Sequence, residues 1–133
     1  MRMRFPLLAG CVLLICACSH RTRESSDAPP HDPELLTSEE LANVKGSTVY
    51  DAVQELRPNW LMRSMPNPAL PRQTPLIVYV DGQRYGAGIE GLRTIPISAA
   101  VSVQYFSATG AQGRFGPGHS LGAIEVITKP THE

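Results

Sequence analysis

His119 and Ser120 stand side by side near the end of the chain, the closest approach in this sequence to a base and a nucleophile. Acyl transfer needs the imidazole to reach the hydroxyl and a third group to orient the imidazole. Adjacent residues rarely point at each other, and no G-x-S-x-G turn presents Ser120. Gly116, Gly118 and Gly122 surround the pair and invite a phosphate-loop reading. A P-loop ends in Gly-Lys-Ser/Thr so that the lysine reaches phosphate, and His119-Ser120-Leu121 stands there instead. A dinucleotide loop follows a strand and opens a helix, whereas this loop precedes a strand. The spacing therefore predicts a tight return in which Gly116 and Gly122 are structural.

The remaining metal-ligating types are scattered. His20, His31 and His132 lie towards the two ends, and Cys11, Cys16 and Cys18 crowd the first eighteen residues. No histidine has a ligand-spaced partner, so no metal site is expected. No cofactor-binding or catalytic residue is assigned, and a non-catalytic protein is expected. Twelve basic residues balance twelve acidic ones, which removes the bulk electrostatic argument for nucleic acid.

The leader carries chemistry of another kind. Met-Arg-Met-Arg precedes an apolar run from Phe5 to Ala17, the n- and h-regions of a secretory signal. That run is about 13 residues, short of the ~20 that a spanning helix needs. Leu14, Ile15, Cys16, Ala17 and Cys18 resemble a bacterial lipobox, in which a cysteine is lipidated and becomes the mature N-terminus. Cys11 follows Leu8-Ala9-Gly10, but too few apolar residues precede it for an h-region. Cys18 is the expected lipidation site. Its lipid chains supply the two signals that stable anchoring needs. Ser19 follows, with no Asp to suggest inner-membrane retention. The expected organisation is a signal peptide over 1–17, a flexible tether over 18–33 and one domain over 34–133.

The elements that must position these residues are short. Thr37 and Glu40 have capping-box spacing for a helix over Ser38–Asn43, with Gly46 beyond it. Thr48 caps a second helix whose face holds Val49, Val53 and Leu56, and Pro58 ends it. Trp60 and Leu61 read as core anchors, and four prolines make 64–75 a loop. Leu76–Val80 is a buried strand, Asp81-Gly82 a turn, and Gln83–Tyr85 a short return. In that turn Asp81 is expected to bond its own backbone. Ile89, Leu92 and Ile95 mark a helical turn, and Ser98 a cap. Val101, Val103 and Tyr105 then alternate as a strand, followed by a helix over Ala108–Phe115. In the last strand Glu125 is expected on a solvated face, with Ile124, Val126 and Ile127 supplying burial. Arg84, Arg93 and Arg114 are candidates for a basic cluster. The fold class is α+β, a small mixed sheet with short helices.

Three stretches occur in order: "PLIVYVDGQRY", "LRTIPISAAVSVQYFSATGAQGRFG" and "GAIEVITK". Together they resemble the plug domain of TonB-dependent outer-membrane receptors, over residues 75 to 129. Asp81, Gly82, Ile95, Pro96, Gly110, Ala111, Arg114, Phe115, Gly116, Gly122, Ile124, Val126, Ile127 and Thr128 fall on that pattern. Gln104 stands where the pattern has Glu. The resemblance implies a plug-like domain. A barrel of about 22 strands has no room in 133 residues, so a transporter is not implied. The expected protein is a lipid-anchored adaptor on the periplasmic side of the outer membrane. It would meet the membrane through its anchor and would bind an envelope or outer-membrane protein. The alternative is a lipoprotein that holds a peptide or glycan in loop 64–75, near Trp60 and Tyr85.

Overall fold

The computed structural model describes residues 32–70 and 72–130. Cys18, the leader and nearly all of the tether assignment lie outside them. Five strands make one mixed sheet: β1 (Leu35–Leu36), β2 (Ile77–Val80), β3 (Gln83–Ala87), β4 (Ala100–Phe106) and β5 (Ala123–Thr128). Their order is β1-β4-β5-β2-β3. The β2–β5 pair is parallel, with Ile77 beside Ala123 and Val80 beside Val126; the other three pairings are antiparallel. With its short helices this is a small α+β domain.

Helices α1 (Ser38–Ala42), α2 (Val49–Leu56) and α3 (Pro58–Arg63) pack on one face of the sheet. Both capping boxes form. Thr37 Oγ1 accepts from the Glu40 amide at 3.4 Å while Glu40 Oε2 accepts from the Thr37 amide at 3.0 Å. Thr48 and Asp51 repeat the exchange at 3.3 and 3.0 Å. Each such cap contributes roughly 1 kcal/mol. Pro58 ends α2 and also opens α3, because proline at the first helical position loses no internal hydrogen bond. Sequence reasoning missed α3, though Trp60 and Leu61 are core residues as expected. Leu36, Val49, Val53, Trp60, Val78, Leu92, Val103, Ile124 and Val126 are all fully buried in this layer.

The other face is covered in part by α4 (Ala108–Phe115), capped by Ser107. Ala111, Ile77, Tyr79 and Ala123 pack there with Phe106 and Phe115. This second layer corrects two expectations. Glu125 is buried, not solvated, because α4 lies over its side of β5. Ile127 faces the same way but is 37% exposed and supplies little burial. Two further corrections lie around β4. Ala100 pairs with Thr128 and Ser102 with Ile127, so Val101 is the extra residue of a bulge. The buried set becomes Ala100, Val103 and Tyr105. Ser98 sits inside the 3-10 turn Ile97–Ala99 and does not cap it.

Asp81 and Gly82 both take positive φ, 50° and 78°, as a two-residue type I′ hairpin turn requires. The Asp81 carboxylate does not bond its own backbone. It accepts from the Thr128 amide at 2.9 Å and the Thr128 hydroxyl at 2.5 Å, clasping the end of β5. At the opposite end, Gly116 and Gly122 have φ of 92° and 82°. A Cβ on Gly116 would meet open space, whereas one on Gly122 would strike the Phe106 carbonyl.

Two outcomes follow. Gly116→Ala should cost about 1–3 kcal/mol from backbone strain alone. Gly122→Ala should cost clearly more, because a rigid strand must also shift. Thermal melts of the two variants test this, and equal losses would contradict it. The second concerns acid. The hydrogen bonds from Thr128 hold Asp81 below its ordinary value of 3.8, and those from Thr48 do the same for Asp51. A carboxyl lowered in the folded state stabilises the fold fully above its unfolded value, and that stabilisation is lost as pH falls through the folded value. The melting temperature should therefore be level from pH 7 to about 5 and fall below about 4. Asp81→Asn should lower it at pH 7 and flatten the acid limb. An unchanged limb would show that the clasp contributes nothing.

Candidate functional site

The loop Gly116–Gly122 turns its two chemically capable side chains to different partners. His119 is buried beneath α4. Its Nδ1 lies 2.8 Å from the Gly116 carbonyl, which can only accept, so Nδ1 carries the proton. In that neutral tautomer Nε2 accepts from the Tyr79 hydroxyl at 2.8 Å. Ser120 is exposed and engages Thr74: its Oγ accepts from the Thr74 amide at 2.7 Å, and its own amide donates to Thr74 Oγ1 at 3.0 Å. Base and hydroxyl are thus committed to separate tasks. His119 ties the loop to β2, and Ser120 ties it to the segment that enters β2.

Under α4 the polar and aromatic groups converge. Phe115 stacks on Tyr79 with ring centroids 3.8 Å apart and meets Phe106 edge-on at 5.6 Å. Arg114 closes over this cluster. Its guanidinium lies 5.3 and 5.4 Å from the Phe106 and Phe115 ring centroids and pairs with Glu125 at 2.7 Å. Glu125 is 3% exposed, and this arginine is the cation paired with it. Of the three arginines that were candidates for a cluster, Arg114 and Arg93 have different partners. Arg93 lies 3.5 Å from the Tyr50 ring centroid and pairs with Glu90, while Arg84 is exposed on β3.

Trp60 is fully buried, donates from Nε1 to the Pro33 carbonyl at 3.1 Å and stacks on Tyr105. Burial raises the Tyr105 phenol above its ordinary value, with Glu34 adding and Arg63 opposing. A tryptophan so enclosed cannot stack on a ligand, which removes the pairing of Trp60 with Tyr85. Tyr85 is half exposed, its hydroxyl 3.1 Å from the Thr94 hydroxyl. A groove of about 210 Å³ opens beside α1, walled by Leu41, Val44, Ile97 and Ala100 and rimmed by Ser38, Ser98 and Lys129. Among the described residues no group of three or more His, Cys, Asp or Glu could hold a metal ion. No helix among them is long and apolar enough to cross a membrane.

Of the residues singled out from the sequence, Asp81-Gly82 and Gly116–Gly122 sit at opposite ends of the sheet. Sequence reasoning missed the Arg114–Glu125 pair. A lone carboxylate inside the apolar run Ala123–Ile127 was the available signal, since such a charge calls for a partner. Compared with known proteins, the chain matches no protein-family model and no curated protein.

Removing one partner of the Arg114–Glu125 pair should be worse than removing both. Arg114→Leu leaves a buried carboxylate without its partner and should cost about 1–3 kcal/mol. The double variant Arg114→Leu, Glu125→Leu should recover part of that loss. Denaturant midpoints across the cycle decide it, and strictly additive losses would mean the two charges do not interact.

Proposed function

We propose that this chain is a lipid-anchored, plug-like adaptor of the bacterial cell envelope, facing the periplasm and acting without catalysis. The observation that carries the reading is the ordered string of motif residues along a single unit from β2 to β5. Asp81-Gly82 is the turn after a strand, Pro96 separates the two 3-10 turns, and Gly110-Ala111 lies within α4. Arg114-Phe115-Gly116 closes that helix, and Gly122 opens the final strand. In this reading the lipobox at Cys18 supplies the anchor, and the exposed surface of the domain binds an envelope or outer-membrane protein. The polar groups under α4 then serve the fold: His119, Arg114 and Glu125 all have internal partners.

Lipid labelling in cells tests the anchor. The wild-type chain should take up labelled palmitate and sediment with membranes. Cys18→Ala should do neither, because an apolar run of about 13 residues cannot hold the chain by itself. Label persisting in Cys18→Ala would move the site to Cys11, and an unlabelled wild-type chain would end the lipoprotein reading. For the adaptor role, cross-linking in intact cells should return the same envelope protein repeatedly; its absence across replicates would count against a partner.

A further inference from the structure

The chain enters the fold beside the domain's most exposed apolar side chains. Pro33 is held against α3 by the Trp60 indole, and Glu34 pairs with Arg63 at 3.6 Å. On the outside of the same helix and just past it, Met62 and Met65 are 65% and 63% exposed, and Leu70 in the following loop is 55% exposed. Strand directions put these features at one end of the sheet. β1, β2 and β5 run the same way, so the start of β1 and the loop leading into β2 share an end, opposite the Asp81-Gly82 turn.

The loop is shaped rather than slack. The Leu70 amide donates to the Asn67 carbonyl at 2.9 Å, the Ala69 amide to Asn67 Oδ1 at 2.9 Å and the Asn67 amide to Gln73 Oε1 at 2.7 Å. Thr74 is clasped by Ser120. Leu70 is thereby presented outward by a turn with its own hydrogen bonds. From Leu56 to Val80 the sequence contains no Asp or Glu, while Arg63 and Arg72 are exposed. Apolar tips with Arg72 exposed beside them, and Arg63 held by Glu34, suit a lipid interface that the side chains enter while Arg72 meets a headgroup.

We propose that Met62, Met65 and Leu70, flanked by Arg63 and Arg72, dock the domain onto the bilayer to which the chain is tethered. This rests on the lipid-anchor reading for its geometry. About fourteen residues join Cys18 to Asp32, a reach of at most roughly 50 Å. The patch lies where that tether meets the domain, so anchoring holds it at high effective concentration next to lipid. The docked domain presents the far end of the sheet, with the Asp81-Gly82 turn, away from the membrane.

Spin labels separate this from the anchor itself. The mature lipidated chain is placed in vesicles of phosphatidylcholine with about 30% phosphatidylglycerol, a content that supplies the anionic surface. Nitroxides are attached at Met65→Cys, Leu70→Cys or, as control, Gln83→Cys. Labels at 65 and 70 should collide with oxygen dissolved in lipid and be shielded from an aqueous nickel chelate; the label at 83 should be fully aqueous. All three equally aqueous on an anchored chain would overturn the docking and leave the anchor standing. Labels at 65 and 70 shielded from both reagents would mean that protein covers the patch, which also overturns it. If Cys18 proves unmodified, the same labels are read on mature chain added to preformed vesicles. Met62→Asp, Met65→Asp, Leu70→Asp should then reduce vesicle partition at least tenfold with an unchanged circular-dichroism melt. Equal partition of the triple variant and the parent would end the proposal.

Discussion

The last of the described strands occupies the middle of the sheet. β5 lies between β4 and β2, antiparallel to one and parallel to the other, so both of its backbone edges are paired. Until residues 123–128 arrive, the β2–β3 hairpin and the β1–β4 pair are separate two-stranded pieces, which are marginal on their own in water. Most of the remaining architecture serves this insertion. Gly122 lets the backbone pass against the Phe106 carbonyl at the start of β5, and the Asp81 carboxylate receives Thr128 at its end. Ile124 and Val126 complete one layer while Ala123 and Glu125 complete the other.

A second constraint organises the first half of the chain. Arg57 is 7% exposed at the junction of α2 and α3. Its Nη2 donates to the Leu35 carbonyl at 3.2 Å and to Glu40 Oε1 at 2.9 Å, and its Nη1 to the Leu56 carbonyl at 3.1 Å. The fork of a guanidinium suits this work, since one side chain serves several acceptors in fixed directions. Glu40 also closes the capping box of α1 through its other oxygen. One buried cation therefore joins the strand by which the chain enters, the first helix and the α2–α3 corner. Nε of Arg57 has no hydrogen-bond partner, a cost borne by the packing around it.

These two constraints give the domain its polarity. The entering strand, the loop clasped by Ser120 and the glycine turn before β5 gather at one end; the Asp81–Thr128 clasp marks the other. Under the proposed anchoring, the first end, with Met62, Met65 and Leu70 exposed beside it, is the one that meets the membrane.

Local chemistry was readable in the order of residues. Thr37 with Glu40 and Thr48 with Asp51 cap helices through groups three residues apart, so spacing alone reports them. The run before Asp81-Gly82 and the turn itself are likewise local, as is the span of α4 between Ser107 and Gly116. Facing and partnership were not readable, because they depend on what packs above a strand. Glu125 was assigned to solvent since alternation counts two faces but cannot say that α4 covers the second, or that Arg114 comes with it. Ile127 lies on that same face where α4 no longer reaches, and one extra residue in β4 moved Val101 out of its expected place. Asp81 in a turn predicts a bond to its own backbone, and only the arrival of β5 brings Thr128, forty-seven residues away, to its carboxylate. Contacts within a few residues are set by covalent spacing; contacts across the chain exist only once burial of the apolar layers has brought distant segments together.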